Sequence, residues 1–181
     1  MILADADILF HRNVNDLVIH PWNADNLQAA SYDLTLGPYW RFPWEPETTR
    51  HEMHPQGFDI PPGDFILLHT EETVRIGNGL VGFVCGKSSR AREGFQIESA
   101  GLVDPGFEGQ LVLEVKNLLP DLNIGSYPDV YRYENHLRVK PGMKIAQLWF
   151  ARTVSKSLNP YSSERNHYFG QMGPVGSRTR A

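Results

Sequence analysis

Cysteine is almost missing from this chain. Among 181 residues there is one, Cys85. No disulfide can form within the chain. Cys85 ends the apolar run 80–85 (LVGFVC) and reads as a small buried hydrophobe. A strong net charge is also missing. The balance is −4, which argues against a dedicated nucleic-acid binder. No apolar run approaches the length needed to cross a membrane, and residues 1–11 (MILADADILFH) lack the pattern of a secretory signal. These features lead to the expectation of a soluble, cytoplasmic protein with no membrane partner. No long helical period, internal repeat or low-complexity tract occurs.

Turn formers, β-branched residues and aromatics are plentiful. Sixteen glycines and thirteen prolines are spread along the chain. That pattern predicts an all-β fold of short strands and many turns. A chain of this length can bury a real core, and one domain over residues 1–181 is expected.

In chain order, Asp5 can cap a short helix carrying Ile8 and Leu9. Tyr32, Leu34 and Leu36 alternate with Asp33 and Thr35, which predicts a strand. Asp33 is then either solvated or hydrogen-bonded to backbone. Residues 39–56 read as a long connection or loose hairpin whose aromatics cover a core edge or an oligomer contact. His51 and His54 lack a third ligand and are not read as a metal site. Gly77-Asn78-Gly79 is a turn. Residues 118–136 form either a long loop or two short strands. Residues 143–150 (MKIAQLWF) predict a strand buried on both faces. Residues 155–181 lose the hydrophobic pattern. They form either a mobile tail or a segment that folds over a ligand.

The stretch 86–117 organises the rest. Gly86-Lys87-Ser88-Ser89 leaves a strand and offers a cation and two hydroxyls to an anion. Residues 90–93 can form one or two helical turns with Ser88 or Ser89 as N-cap. Residues 110–116 (QLVLEVK) alternate with period two. Leu111, Leu113 and Val115 are expected to face a core, and Gln110, Val112, Glu114 and Lys116 to face away from it. Glu114 is either solvated on an open face or held in a pocket. Asp104 lies ten residues earlier, in Asp104-Pro105-Gly106. A hairpin through 106–109 could bring both carboxylates to one cleft.

Six pieces then occur in a specific order: Ser31-Tyr-Asp-Leu-Thr-Leu-Gly37, Gly86-Lys-Ser-Ser-Arg-Ala-Arg92, Ala100-Gly-Leu-Val-Asp-Pro-Gly-Phe-Glu-Gly109, Leu113-Glu114, Pro141-Gly-Met143 and Tyr168-Phe-Gly-Gln-Met-Gly-Pro174. In these the chain resembles the dCTP deaminase family of the trimeric dUTPase-like superfamily. The resemblance implies a distorted β-barrel or jelly-roll-like subunit with short helices. It also implies a homotrimer with active sites between subunits, and a C-terminal segment, 155–181, that closes over the nucleotide. It implies zinc-independent hydrolytic deamination of dCTP to dUTP and ammonia.

In that reading Glu114 activates water, and Ser88 and Arg92 surround base and water. Asp104 and Gln171 contact the nucleotide. Lys87, Ser89, Tyr161, Arg165 and His167 are further candidates for substrate binding. Mg²⁺ would accompany the triphosphate without a full set of protein ligands, and dTTP is a candidate inhibitor. The zinc route to deamination needs a His or Cys ligand followed by a Pro-Cys-x-x-Cys pair, which one cysteine cannot supply. Ala100-Gly101 resembles the pattern of bifunctional members that make dUMP and pyrophosphate. That reading, dUTP hydrolysis alone, and a non-catalytic nucleotide-binding regulator remain open alternatives. Lys87 stands where the family commonly has arginine, and His167 where it commonly has lysine.

Overall fold

The computed structural model describes residues 1–97, 101–121 and 135–178. Ala100 and most of the 118–136 connection lie outside the described residues. In chain order the elements are α1 (Asp5–Asn13), β1 (Leu17–His20), β2 (Leu27–Gln28), β3 (Ser31–Thr35), β4 (Tyr39–Trp40), β5 (His51–Glu52), β6 (Phe58–Ile60) and β7 (Phe65–Ile76). There follow β8 (Leu80–Gly86), α2 (Ser88–Glu93), β9 (Phe95–Ile97), β10 (Leu102–Val103), β11 (Glu108–Asn117), β12 (Leu137–Val139) and β13 (Lys144–Arg152). The fold is mostly β with two short helices, as the composition predicted.

Two sheets carry the core. One runs β1-β7-β11-β9 and the other β10-β8-β13-β3-β2, and small ribbons pair β12 with β6 and β4 with β5. Buried residues of both sheets form one hydrophobic cluster. The architecture is a distorted pair of sheets rather than a closed barrel. Its centre is the antiparallel pairing of β7 and β11, where Leu68 faces Leu113. Both are fully enclosed, and each contributes roughly 2 kcal/mol by leaving water.

Several local expectations need correction. Ala4, not Asp5, is the N-cap of α1. Ile8 is buried there, while Leu9 is exposed because it lies on the outer side of the helix. Lys87, not a serine, is the N-cap of α2, with no side-chain cap bond. Cys85 is only half-buried. On β13, Gln147 and Trp149 are half-exposed, so only one face is fully buried. Residues 104–107 do not close a simple hairpin. They carry the chain from β10 in one sheet to β11 in the other. The crossing is pinned where Gly106 N–H donates to Ile76 O (2.9 Å) and Ile76 N–H donates to Phe107 O (2.9 Å).

Candidate active site

The feature relevant to chemistry is a cleft of about 500 Å³ that holds both Asp104 and Glu114. Three parts of the chain form most of its walls, with Pro43 and Val84 added from elsewhere. Strands β7 and β11 pair so that Glu114 lies opposite Leu67. Period two places Phe65 and Leu67 on the same side as Val112 and Glu114, and all four line the cleft. The sheet-to-sheet crossing adds Val103, Asp104 and Phe107, and the C-terminal segment adds Tyr161, Tyr168, Gln171 and residues 175–177. Glu114 is half-buried and Asp104 is exposed.

The two carboxylates proposed from sequence therefore share one cleft. The crossing turns the chain there because Gly106 takes φ of +90°, which a residue with a Cβ adopts only under strain.

The alternation of β11 holds for its apolar side. Leu111, Leu113 and Val115 are buried. It fails at Gln110, which was expected to point outward and is 8 % exposed. A register shift between Gln110 and Val112 interrupts the ladder, and the C-terminal segment covers this end of the strand. Three residues of β7, 70–72, there stand against the single Leu111 of β11, and such an irregularity re-aims its neighbours. The Leu111 N–H, displaced from the ladder, donates instead to Thr70 Oγ1 at 3.0 Å.

Residues 155–178 are folded, not loose. The Tyr161 N–H donates to Pro105 O (2.8 Å), and Gly170 N–H donates to Glu108 O (2.7 Å). Gly109 bridges Gln171 in parallel fashion. The Tyr161 hydroxyl accepts from the Tyr168 N–H at 3.2 Å. Burial pushes that phenol upward from its ordinary pKa, and the Asp104 charge pushes the same way against the Tyr168 hydrogen bond.

Of the remaining expected site residues, Ser88, Ser89 and Arg92 sit on or at the start of α2, are exposed, and do not line this cleft. Lys87 does not face it either. Its ammonium lies 2.5 Å from Asp33 Oδ1, and the Asp33 side chain is 3 % exposed. Gln147 donates to the same oxygen (3.3 Å), Gln28 to Oδ2 (3.4 Å), and Lys144 Nζ stands 3.6 Å from Oδ2. Asp33 is thus the centre of a buried polar cluster at the base of α2. Arg165 bonds Asn159, the His167 carbonyl accepts from Arg178, and both side chains are exposed away from the cleft.

Among the described residues no lysine or arginine lines the cleft. Among them, too, no cluster of three or more His, Cys, Asp or Glu could hold a metal ion. His51 instead bonds Glu45 at 2.7 Å. No helix among the described residues is long and apolar enough to cross a membrane. Tyr168 lines the cleft although only its motif, Tyr168 to Pro174, and not the residue itself, was singled out from sequence.

The family description "dCTP deaminase-like" matches residues 2–125. A protein of Bifidobacterium longum named "dCTP deaminase, dUMP-forming" is 33% identical over 196 residues, covering 99% of this chain and 94% of that protein. The solved 2'-deoxycytidine 5'-triphosphate deaminase of Agrobacterium tumefaciens shares the fold with a TM-score of 0.62 at 20% identity. The match covers 82% of this chain and 47% of that one, so this chain spans about half its length. A dUTPase of Staphylococcus bacteriophage 80alpha, solved as a point mutant with dUpNHpp, matches with a TM-score of 0.53 at 19% identity, over 80% of this chain and 95% of that one. With a family match over most of its length and a relative this similar across nearly all of it, the chain belongs to the dCTP deaminase-like family.

Proposed function

We propose that the protein removes the C4 amino group of dCTP by hydrolysis and carries the product on to dUMP and pyrophosphate. The observation that carries this reading is the pairing of Glu114 and Asp104 in one cleft with a largely apolar wall. In the first step Glu114 takes a proton from water as the water oxygen bonds to C4. That proton passes to N3, where uracil keeps it; Glu114 then moves the second proton from the C4 hydroxyl to the departing nitrogen, the C4–N bond breaks as C4=O forms, and dUTP and ammonia result. Leu67, Val84 and Leu111 exclude bulk water from the base. In the second step a water attacks the α-phosphorus, the bond to the β-phosphate oxygen breaks, and dUMP and pyrophosphate leave.

Asp104 suits a place beside the phosphates. An exposed carboxylate at the cleft edge fits Mg²⁺, which takes one or two carboxylates together with phosphate oxygens. When bound, the ion neutralises phosphate charge.

A cleft with no lysine or arginine among its described lining residues is poorly matched to a triphosphate. Ser88 and Arg92 are exposed on α2 of the same chain. Both facts support a homotrimer in which α2 of one subunit completes the cleft of the next. Ser88 there holds the water and Arg92 balances the charge. dTTP, with the same triphosphate but no amino group at C4, occupies the site as an inhibitor.

The relative's name favours the dUMP-forming reading over release of dUTP. The test is to incubate the protein with dCTP and Mg²⁺, and separately with dUTP and Mg²⁺, and resolve the products. Ammonia, dUMP and pyrophosphate from dCTP are expected. Accumulation of dUTP without pyrophosphate would remove the second step. Absence of ammonia would remove the first.

A further inference from the structure

Gln110 is hydrogen-bonded through both its backbone and its side chain. It lies near the start of β11, four positions before Glu114. Its backbone N–H donates to Gln171 O at 2.9 Å. Its carbonyl accepts from Gln171 Nε2 at 2.8 Å. Its side-chain Oε1 accepts from Gly173 N–H at 2.7 Å. Its Nε2 donates to Glu71 O on β7 at 3.1 Å. The carboxamide thus spans from the sheet to the segment that roofs the cleft, with an acceptor toward one and a donor toward the other. No other uncharged side chain of this length carries both groups in one plane.

The approach is close. A Cβ on Gly109 would lie 3.0 Å from both Gln171 N and Gln171 O. The roof therefore docks backbone to backbone on the first residues of β11, and Gln110 sets how far along the strand it seats.

We propose that Gln110 is a positioning residue, a latch that registers residues 171–177 to the strand bearing Glu114. This rests on the reading of the cleft as the nucleotide site. The two backbone bonds to Gln171 survive any substitution, so a variant at 110 isolates the carboxamide. Gln110→Leu keeps the side-chain bulk but leaves the Gly173 N–H and the Glu71 carbonyl without partners. Gln110→Glu keeps an acceptor for Gly173 and sets a carboxylate against the Glu71 carbonyl.

The experiment has two independent arms on the full chain. Amide hydrogen exchange without nucleotide reads the latch alone. In Gln110→Leu, loss of the buried hydrogen bond to Gly173 should speed exchange in residues 168–176 by about five- to tenfold, with β13 unchanged. Gln110→Glu should fall between it and the parent. Steady-state kinetics with dCTP reads the consequence. KM should rise about tenfold, with kcat within about threefold, since a bound nucleotide restores closure. Unchanged exchange in 168–176 in both variants would overturn the latch, whatever the activity. Faster exchange with unchanged KM would overturn its role in the reaction. A parent protein inactive on dCTP would instead strike the functional reading and leave the exchange result to decide the latch.

Discussion

Lys87 and Asp33 are 54 positions apart, yet their charged atoms meet at 2.5 Å in a cluster where Asp33 is 3 % and Lys87 20 % exposed. Removing one partner of such a pair strands the other in low dielectric, at a cost of about 3–5 kcal/mol. Lys144 at 3.6 Å and the amides of Gln147 and Gln28 remain for Asp33. They soften the loss, so Lys87→Met should cost about 3 kcal/mol, the low end of that range. For a chain of this size that lowers the melting temperature by roughly 6–12 °C. Asp33→Asn should cost a similar amount, because two lysines then face a neutral amide. The double variant should cost clearly less than the sum, with a coupling of about 2 kcal/mol. Thermal unfolding of the four proteins measures this, and added salt should change the coupling little, since a buried pair is weakly screened. Additive effects, or a Lys87→Met cost below about 0.5 kcal/mol, would refute the argument, because that is the scale of an exposed pair.

Two further predictions concern burial and the roof of the cleft. Glu72 is 2 % exposed and accepts from the Thr35 N–H and hydroxyl. Burial outweighs those bonds and raises its carboxyl above the ordinary 4.5. The folded chain therefore binds this proton more tightly than the unfolded chain. The stability it contributes is present below pH 4.5 and is lost as pH rises through the raised value. Glu72→Gln should flatten that decline and be more stable than the parent at neutral pH, read from denaturant midpoints across pH; a steeper decline would contradict it. Gly106 and Gly63 both have positive φ, +90° and +81°. A Cβ at Gly63 meets nothing within 4 Å, whereas at Gly106 it would meet Tyr161 O at 2.7 Å. Gly63→Ala should cost only the backbone strain of about 1–2 kcal/mol. Gly106→Ala should cost more and raise the KM for nucleotide. Equal costs in thermal unfolding would show that the C-terminal segment does not seat there.

The apolar framework was legible because it is local. The alternation of Leu111, Leu113 and Val115 depends only on the pleat, and all three are buried. Asp104 and Glu114 could be brought together on paper because a Pro-Gly turn separates them by few residues. The contacts that escaped are long-range or depend on the register shift between β7 and β11. Gln110 pairs with chain some sixty positions later, and that segment, not the pleat of β11, buries it. Asp33 could not be told from a solvated strand aspartate, since nothing near it in sequence names Lys87. The serine cap was misplaced by one residue because Lys87 takes the extended cap conformation through its backbone alone. The crossing at 104–107 looked like a hairpin because sequence does not say which sheet each flanking strand joins.

The carboxylate of Glu114 is the centre of the account. Glu114→Gln keeps the shape of the cleft but removes the group that takes the proton from water. Measured side by side, ammonia release from dCTP should fall by about 10²–10⁴-fold, while calorimetric affinity for dCTP and conversion of dUTP to dUMP stay within about threefold. Ammonia release at the parent rate in that variant would contradict the assignment.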